Sequence, residues 1–463
     1  MRVHILGLLF AVCAHHADAK PNVVLVMADD LGWGDVGFNG NTVIQTPHLD
    51  AMAANGLNFS RFYAAAPVCS PTRGSCLTGR HPFRYGITHA NTGHLKKEEI
   101  TLSETLKEQG YATGHFGKWH LGTLTKTVKE ANRGGPRGAA HFAPPQEHGF
   151  DVCFSTESKV PTHSPLRAPK TFPKGASLKI GWDALTEDDS WKPYGTHFWT
   201  ETGAMVNEPL LEDDSKVIMD RALPFIKKAA SAKQPFFAVV WFHAPHLPVV
   251  ASKRHQAPYQ KHDLHERNYY GCITALDEQV GRLRAHLREL DVANDTMVWF
   301  CSDNGPEGNA TSPGSAGEFR GRKRSLYEGG VRVPALLEWP AKIKHARTTV
   351  FPAVTSDYLP TIFNVLDLAL PERELDGINL LPAIHDPGAT RQAPIGFQSR
   401  GTVAWHHGIM KLVYQEKRPK DLELYDLNGD PHETNNLASA FPDKALAMQQ
   451  AAQAWQASCG RGD

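Results

Sequence analysis

The stretch NVVLVMADD at residues 22–30 decides what fold the chain is expected to adopt. Residues 22–27 form a β-prone run that is continuously apolar after its first residue, with no alternation of polar and apolar positions. Such a run is typical of a strand in a parallel sheet that is covered on both faces. Two carboxylates, Asp29 and Asp30, follow directly. The stretch therefore predicts a buried parallel strand with an acidic pair at its carboxyl end.

Three further apolar runs end in polar clusters in the same way. The runs are residues 111–117, 236–242 and 296–301, and their clusters are Lys118-Trp119-His120, His243-Ala244-Pro245-His246 and Ser302-Asp303-Asn304-Gly305. Helical patterns, such as residues 103–110 and 268–290, lie between the runs. This alternation predicts an α/β domain whose central sheet is mostly parallel and lies between helices.

The polar clusters predict one common site, because ligands of open α/β sheets bind at the carboxyl ends of the strands. Four of their side chains offer oxygen atoms: Asp29, Asp30, Asp303 and Asn304. Three crowded carboxylates would repel one another, so a divalent cation is expected among them. Oxygen ligands favour Ca²⁺ or Mg²⁺ over Zn²⁺. For residues 28–30 alone, a helix N-cap explains the sequence equally well, but it does not explain the second cluster.

A cysteine at the start of a predicted helix is the most unusual feature of the stretch APVCSPTRGSCLTGRHP, residues 66–82. Pro71 suits the first turn of a helix, which places Cys69 at the N-terminus, where free N–H groups favour negative charge. Arg73 follows four residues later, on the same face. Taken alone, this pattern fits either an activated thiolate or a buried cysteine.

The residues C-S-P-T-R followed by LTGR resemble the signature of the type I sulfatases, in which this cysteine is oxidised after translation to Cα-formylglycine. Further matching stretches lie at residues 21–40, 46–73, 117–122, 148–151, 244–248, 300–305, 327–334 and 423–438. The chain is thus similar to arylsulfatase and N-acetylgalactosamine-6-sulfatase type enzymes of the alkaline-phosphatase-like superfamily. The resemblance implies a large catalytic domain and a small C-terminal subdomain.

The resemblance also implies a set of site residues. Ca²⁺, or less readily Mg²⁺, would be held by Asp29, Asp30, modified Cys69, Asp303 and Asn304. The catalytic set would be Cys69, Arg73, Lys118, His120, His246 and Lys323. In the implied mechanism a hydroxyl of the formylglycine hydrate attacks sulfur, His246 protonates the leaving oxygen and His120 deprotonates the second hydroxyl. His246 is preferred to His243 because the family's histidine lies in a P-H-x-P sequence.

The sequence between residues 122 and 148, and on to about residue 210, is irregular and rich in proline and glycine, as expected for loops that shape a substrate pocket. Aromatic and basic side chains there would suit a sulfated sugar, although loop packing is an alternative for each: Arg133, Arg137, His163, Trp182, Trp191 and Trp199. The basic stretch at residues 318–325 also has two possible roles, substrate contact and structural packing. Its Arg320 and Arg322 would contact further anionic groups or form structural ion pairs.

The sequence predicts three segments: a leader at 1–19, a catalytic domain at 20–384 and a C-terminal subdomain at 385–463. The boundary between the last two is placed where the pattern of the sequence changes, near residue 385. The subdomain is expected to contain a short antiparallel sheet and a terminal helix at residues 442–458. His406 and His407 would lie in a loop of this sheet, at the surface or else lining the pocket.

The first nineteen residues combine Arg2, an apolar run and an A-x-A sequence, as in a secretory signal peptide. A buried strand, or a lipid anchor at Cys13, would be the alternatives. The expected location is therefore secreted or periplasmic, without a membrane span. Six cysteines remain after cleavage, and reserving Cys69 leaves an odd number that cannot pair completely. Cys301 lies in an apolar run and is expected to be a buried free thiol.

The implied function is hydrolysis of sulfate monoesters on carbohydrates, with a formylglycine-generating enzyme as maturation partner. Nucleic acid is not an expected partner, because Lys+Arg and Asp+Glu both count 49. A phosphate or phosphonate ester hydrolase of the same superfamily is the enzymatic alternative, although complete KWH and PHLP motifs favour sulfate. A catalytically silent glycan-binding protein is the alternative of another class, but no expected core residue is missing.

Overall fold

The computed structural model describes residues 20–170, 183 and 189–460. The leader expected at residues 1–19 and Trp182 lie outside the described residues. Within them the strands are β1 Asn22–Ala28, β2 Leu57–Phe59, β3 Phe62–Tyr63, β4 Ala112–Lys118, β5 Val152–Thr156, β6 Phe198–Thr200, β7 Phe236–Trp241, β8 Thr296–Ser302, β9 Arg332–Val333, β10 Ala335–Glu338, β11 Arg347–Thr349, β12 Ala353–Val354, β13 Ile395–Ser399, β14 Thr402–His407, β15 Met410–Gln415 and β16 Arg418–Asp426. The α-helices are α1 Pro47–Ala53, α2 Cys69–Thr78, α3 Leu102–Glu108, α4 Asp214–Ser231, α5 Lys253–Gln256, α6 Leu264–Glu289, α7 Glu328–Val331, α8 Tyr358–Val365, α9 Leu381–His385 and α10 Pro442–Cys459. None of these helices has both the length and the apolar character needed to cross a bilayer.

The central sheet has nine strands in the order β11-β2-β10-β8-β1-β7-β4-β5-β6. Its middle strands are parallel: β1 pairs with both β7 and β8, and β4 pairs with both β7 and β5. Alternate residues of β1 enter two different cores. Val23 and Leu25 join one cluster, and Val24 and Val26 join the other. Burial on both faces explains the continuous apolar run, and the predicted α/β architecture is confirmed.

The C-terminal sheet has the antiparallel order β13-β14-β15-β16, and α10 packs on it through Ala445, Met448 and Ala452. The predicted short sheet and terminal helix are therefore confirmed. His406 was expected in a loop, but it lies in β14, is 2% exposed and contacts Arg61 at 3.0 Å. The two expectations for this residue are wrong, because its side chain faces the large domain and is enclosed there; His407 is exposed.

A buried ionic group joins this sheet to the large domain. The ammonium group of Lys411 lies 2.9 Å from a carboxylate oxygen of Glu328 and 2.9 Å from one of Glu433. Lys411 and Glu328 are fully buried, and Glu433 is 1% exposed. Glu433 also accepts a hydrogen bond from the backbone N–H of Glu328 at 2.7 Å. Three charges buried together are costly to separate.

Replacing Lys411 by methionine is expected to lower the free energy of unfolding by about 3–5 kcal/mol, because Glu433 would remain buried without its cation and Glu328 would keep only Arg332, at 3.4 Å. Urea denaturation followed by tryptophan fluorescence measures the change. Lys417→Met is the matched control: Lys417 is exposed beyond β15, and its replacement should stay within about 0.5 kcal/mol. Equal denaturation midpoints for the two variants would contradict the structural role of Lys411.

Candidate active site

Four adjacent strands, β8, β1, β7 and β4, bring the predicted polar clusters to one edge of the central sheet. Asp29 and Asp30 follow β1, Lys118 ends β4 and Asp303 follows β8. The residues meet as expected. The ammonium group of Lys118 lies 2.5 Å from Asp29 Oδ2, and the backbone N–H of Asp30 donates to Asp303 Oδ1 at 3.1 Å. The structure therefore brings the acidic set together, as the sequence predicted.

The acidic centre fits a hard divalent cation. Asp29 Oδ1 and Asn304 Oδ1 are buried and have no hydrogen-bond partner among the described residues. Potential ligand atoms of Asp29, Cys69 and Asp303 all lie within 4.8 Å of one another. Burial and the charge of Asp29 raise the pKa of Asp303 to about 7. Orphaned oxygens and a carboxylate that resists ionisation are what a bound Ca²⁺ or Mg²⁺ would satisfy.

Cys69 is the first residue of α2 and is 3% exposed. Burial raises the pKa of its thiol, despite the nearby lysines Lys118 and Lys323. A thiol with a raised pKa is a poor nucleophile, so the geometry does not support the activated-thiolate interpretation. The local sequence left two interpretations open, an activated thiolate and a buried cysteine, and the structure agrees with the buried cysteine.

Arg73 lies one turn along α2 and is fully buried beside the acidic centre. Its Nε and Nη2 atoms donate to Asp303 Oδ2 at 3.1 and 2.7 Å, and Nη1 donates to the carbonyl of Lys118 at 2.9 Å. The same side chain lies 3.4 Å from Asp29 Oδ2. Arg73 thus ties α2 to strands β1, β4 and β8, and it places a fixed positive charge behind Cys69.

A cavity of about 700 Å³ opens at Cys69. It is lined by five of the six expected catalytic residues, Cys69, Lys118, His120, His246 and Lys323. Lys323 contacts Asp30 Oδ1 at 2.6 Å. Burial alone would lower the pKa of this lysine, but the negative charge of Asp30 and smaller effects of nearby groups raise it. Positive side chains thus line a cavity above a buried acidic floor, which suits an anionic ligand.

The two histidines of the sequence HAPHLP have different surroundings. His243 is fully buried, with its Nδ1 at 2.7 Å from Asp214 and its Nε2 at 2.7 Å from Thr156. His246 lines the cavity, and its Nδ1 donates to the carbonyl of Leu247 at 2.7 Å. Its Nε2 lies 3.6 Å from Asp30 Oδ2. The preference for His246 as the pocket residue therefore agrees with the structure.

Sequence reasoning missed a hydrogen-bonded wall of the cavity. His120 Nε2 donates to Asn91 Oδ1 at 3.0 Å, and Asn132 Nδ2 donates both to that oxygen at 3.0 Å and to Ser158 Oγ at 2.8 Å. An amide oxygen only accepts, so Nε2 of neutral His120 carries the proton and Nδ1 has a free lone pair. Nδ1 is buried without a partner among the described residues. Asn91 and His120 have φ values of 64° and 59°, a left-handed conformation in which asparagine and histidine are both enriched.

The residues expected to contact the sugar lie elsewhere. None of the five described members of that set lines the cavity. Trp199 donates to Glu130 at 2.7 Å, Arg133 pairs with Glu157 at 3.5 Å and Trp191 stacks with Arg167 at 4.6 Å, so loop packing explains them. The remaining two are Arg137, which donates to the carbonyl of Ala131, and His163, which bonds to Ser164.

The arginines of the basic stretch at residues 318–325 also bond to other parts of the protein. Arg320 donates to Tyr425 at 2.9 Å, and Arg322 donates to the carbonyl of Gly314 at 2.7 Å. Both arginines therefore have structural partners.

The six cysteines of the described residues are all buried and free, including Cys301 as expected.

A family model described as Sulfatase matches residues 21–368, and one described as N-sulphoglucosamine sulphohydrolase, C-terminal, matches residues 317–457. The N-acetylgalactosamine-6-sulfatase of Canis lupus familiaris is 33% identical over 385 residues, which are 80% of this chain and 66% of the relative. Arylsulfatase A of Homo sapiens is 32% identical over 484 residues, covering 96% of this chain and 89% of the relative.

The fold matches solved structures as well. The crystal structure of Ps i-CgsB in complex with k-i-k-neocarrahexaose has a TM-score of 0.77 and 26% identity, covering 94% of this chain and 92% of that chain. The chain spans just under two thirds of the canine relative's length and most of the human one. The matched residues include the whole acidic centre and the cavity lysines. The chain belongs to the sulfatase family of sulfuric ester hydrolases.

Proposed function

We propose that the chain hydrolyses sulfate monoesters of carbohydrates in the cavity at Cys69. The observation that carries the proposal is the position of this buried cysteine between an acidic centre with orphaned oxygens and two lysines that line the cavity. Cys69 would be converted to formylglycine, and Asp29, Asp30, Asp303 and Asn304 would hold Ca²⁺. A relative named for a sulfated amino sugar and a neighbour solved with an oligosaccharide support a carbohydrate substrate.

Membership of the same family supports proposals for the domain boundaries, the export and the maturation of the chain. Residues 20–384 would form the catalytic domain and residues 385–463 the C-terminal subdomain, with the chain exported by the leader at residues 1–19. A formylglycine-generating enzyme would act on the C-S-P-T-R sequence before or during export. Measuring sulfate release from a panel of sulfated oligosaccharides tests the function, with nitrophenyl phosphate as comparison. Faster turnover of the phosphate than of nitrophenyl sulfate would instead favour the phosphate or phosphonate ester hydrolase.

A formylglycine hydrate at position 69 would supply two hydroxyls on one carbon, and Ca²⁺ held by the acidic centre would supply positive charge. The chain supplies the rest of the stabilisation. Arg73 is held rigidly by Asp303 behind position 69, where it would orient the reacting hydroxyl. Lys118 and Lys323 line the cavity, and their ammonium groups would oppose the charge that gathers on the sulfate oxygens in the transition state.

Two histidines are placed to move protons. His246 keeps one proton on Nδ1 through its bond to Leu247, so Nε2 is the atom available to hold the proton that the leaving oxygen needs. Burial lowers the pKa of His246 to about 4, despite Asp30 and Asp29. A bound sulfate monoester adds a negative charge, which favours the protonated imidazole. His120 would accept a proton from the second hydroxyl at its free Nδ1.

Replacing His246 by alanine is expected to slow hydrolysis of a sugar sulfate by about 10²–10⁴-fold, the usual contribution of a general acid. Hydrolysis of nitrophenyl sulfate should fall much less, because nitrophenolate leaves without a proton. Steady-state kcat/KM for the two substrates gives the comparison.

His243→Ala is the matched control, since His243 lies three residues away and outside the cavity. Its replacement should affect both substrates alike. If His243→Ala showed the dependence on leaving group and His246→Ala did not, the two histidines would have been assigned in the wrong order. If neither variant discriminates, the general acid is another residue, with Lys323 the next candidate.

A further inference from the structure

Lys159 is a third lysine that lines the cavity, and it differs from the other two in its partners. The ammonium groups of Lys118 and Lys323 lie 2.5 and 2.6 Å from Asp29 and Asp30. Lys159 has neither an ion pair nor a hydrogen bond to its side chain within the described parts of the chain. Among the described residues its positive charge therefore has no carboxylate in direct contact, in a cavity that the substrate must enter.

Arg324, the arginine among the described residues that line the cavity, is already paired with a carboxylate. Arg324 donates to both carboxylate oxygens of Glu307, at 2.6 and 2.8 Å. Lys159, by contrast, is only partly exposed. Burial lowers its pKa, and the charges of Lys118 and Lys323 add to this effect, whereas the charges of Asp30 and Asp29 offset part of it. An unpaired, half-buried cation beside two like charges is unfavourable, and an anion bound next to it would relieve that cost.

The location of Lys159 is fixed by the hydrogen-bonded wall described above. Its neighbour Ser158 is 2% exposed and accepts a hydrogen bond from Asn132 at 2.8 Å. Asn132 in turn bonds to Asn91, which holds His120. Lys159 therefore extends from the same wall as one of the proposed proton-transfer residues. It belongs to the loop that follows β5, and it lines the same cavity as Cys69.

We propose that Lys159 binds a second anionic group of the substrate, a carboxylate or a further sulfate, next to the sulfate that is removed. This inference rests on the proposed function and narrows its substrate class from sulfated sugars to carbohydrates with at least two negative charges. Lys118 and Lys323 share their charge with the acidic centre and the scissile sulfate, whereas the Lys159 ammonium is free to select the adjacent group. Lys159 is thus a specificity-determining residue.

The test compares Lys159→Met with the unaltered enzyme on three substrates: a sulfated disaccharide with a uronic acid, the same disaccharide with its carboxylate reduced to an alcohol, and a disulfated disaccharide without carboxylate. The variant is expected to lose about 10–100-fold in kcat/KM on a substrate with two anions, as for the loss of a hydrogen bond to a charged group. It should change less than about 3-fold on the carboxyl-reduced disaccharide and on nitrophenyl sulfate. The carboxylate and disulfate substrates show which anion is recognised.

Two further variants sharpen the result. Lys159→Arg should retain most of the preference for two charges, because the cation remains. Lys228→Met is the matched control: Lys228 is exposed near the end of α4, shortly before β7 begins, and so lies at the sheet edge opposite the cavity. It should behave like the unaltered enzyme on all substrates.

Binding of the intact disaccharides to Cys69→Ala protein, measured by calorimetry, should show the same dependence on Lys159 without any turnover.

The outcomes separate this inference from the proposed function. Equal losses of Lys159→Met on all sulfate esters would mean that Lys159 grips the scissile sulfate, which overturns the second-anion site and leaves the sulfatase activity standing. No loss on any substrate also overturns the inference. If the unaltered enzyme releases sulfate from none of the substrates, the proposed function fails, and the calorimetric comparison still decides whether Lys159 binds a second anion.

Discussion

Replacing Cys69 by alanine is expected to reduce turnover of every sulfate ester by about 10⁵-fold or more, the scale of losing a covalent nucleophile. The alanine cannot be oxidised to the aldehyde, so no hydroxyl of an aldehyde hydrate would be available to attack sulfur. Mass spectrometry of the tryptic peptide at residues 62–73 of the unaltered enzyme should show the aldehyde in place of the thiol. Fully active protein that contains only unmodified cysteine at position 69 would exclude the mechanism.

Cys76→Ala is the matched control for this prediction. Cys76 lies on the same helix, is fully buried and donates to the carbonyl of Thr72 at 3.4 Å. Its sulfur packs in the core and does not line the cavity. The control variant should lose some stability, because a buried group is removed, but its activity per folded molecule should be unchanged. An equal loss of activity in both variants would point to damage of α2 rather than to loss of a nucleophile.

The central sheet was predictable because its physical cause is visible in the sequence. A strand buried between two cores is largely apolar, as β1 is after Asn22, and each predicted strand was recognised together with the polar cluster at its end. The acidic centre followed from the same rule, since the carboxyl ends of adjacent parallel strands meet. Asp29 and Asp303 are far apart in sequence, yet β1 and β8 pair in register along their length.

Side chains in irregular segments were harder to predict, because no periodicity fixes their direction. Trp199 suits a sugar platform by composition, but its indole donates to Glu130 inside the fold. His406 could not be placed from sequence, because its partner Arg61 lies 345 residues earlier. Asn91 and Lys159 belong to loops at the cavity whose backbone course depends on tertiary contacts. A polar cluster at a strand end can be predicted from one sequence, whereas the course of the loops that line the cavity cannot.

Removing Ca²⁺ by exhaustive chelation is expected to reduce sulfate ester hydrolysis by about 10⁴-fold, several kcal/mol of lost charge stabilisation. Returning the ion should restore activity. The fold should survive, because the two cores of the central sheet do not involve the acidic centre. Adding Ca²⁺ to metal-free protein should raise the melting temperature, and at 100 times its Kd the ion would contribute about 2.7 kcal/mol. Metal-free protein with full activity would contradict the prediction.

Asp303→Asn separates specific binding in the acidic centre from a general effect of Ca²⁺ on the protein. The amide keeps the shape of the side chain but removes a charge that Arg73 and the ion would share. Asp277→Asn is the matched control, since Asp277 is also buried and accepts hydrogen bonds from the backbone N–H groups of His48 and Leu49, away from the cavity. Both variants should be less stable, but only Asp303→Asn should lose the rise in melting temperature with Ca²⁺. A rise of the same size in both would place the ion outside the acidic centre, because a ligand's charge cannot be removed there without weakening the site.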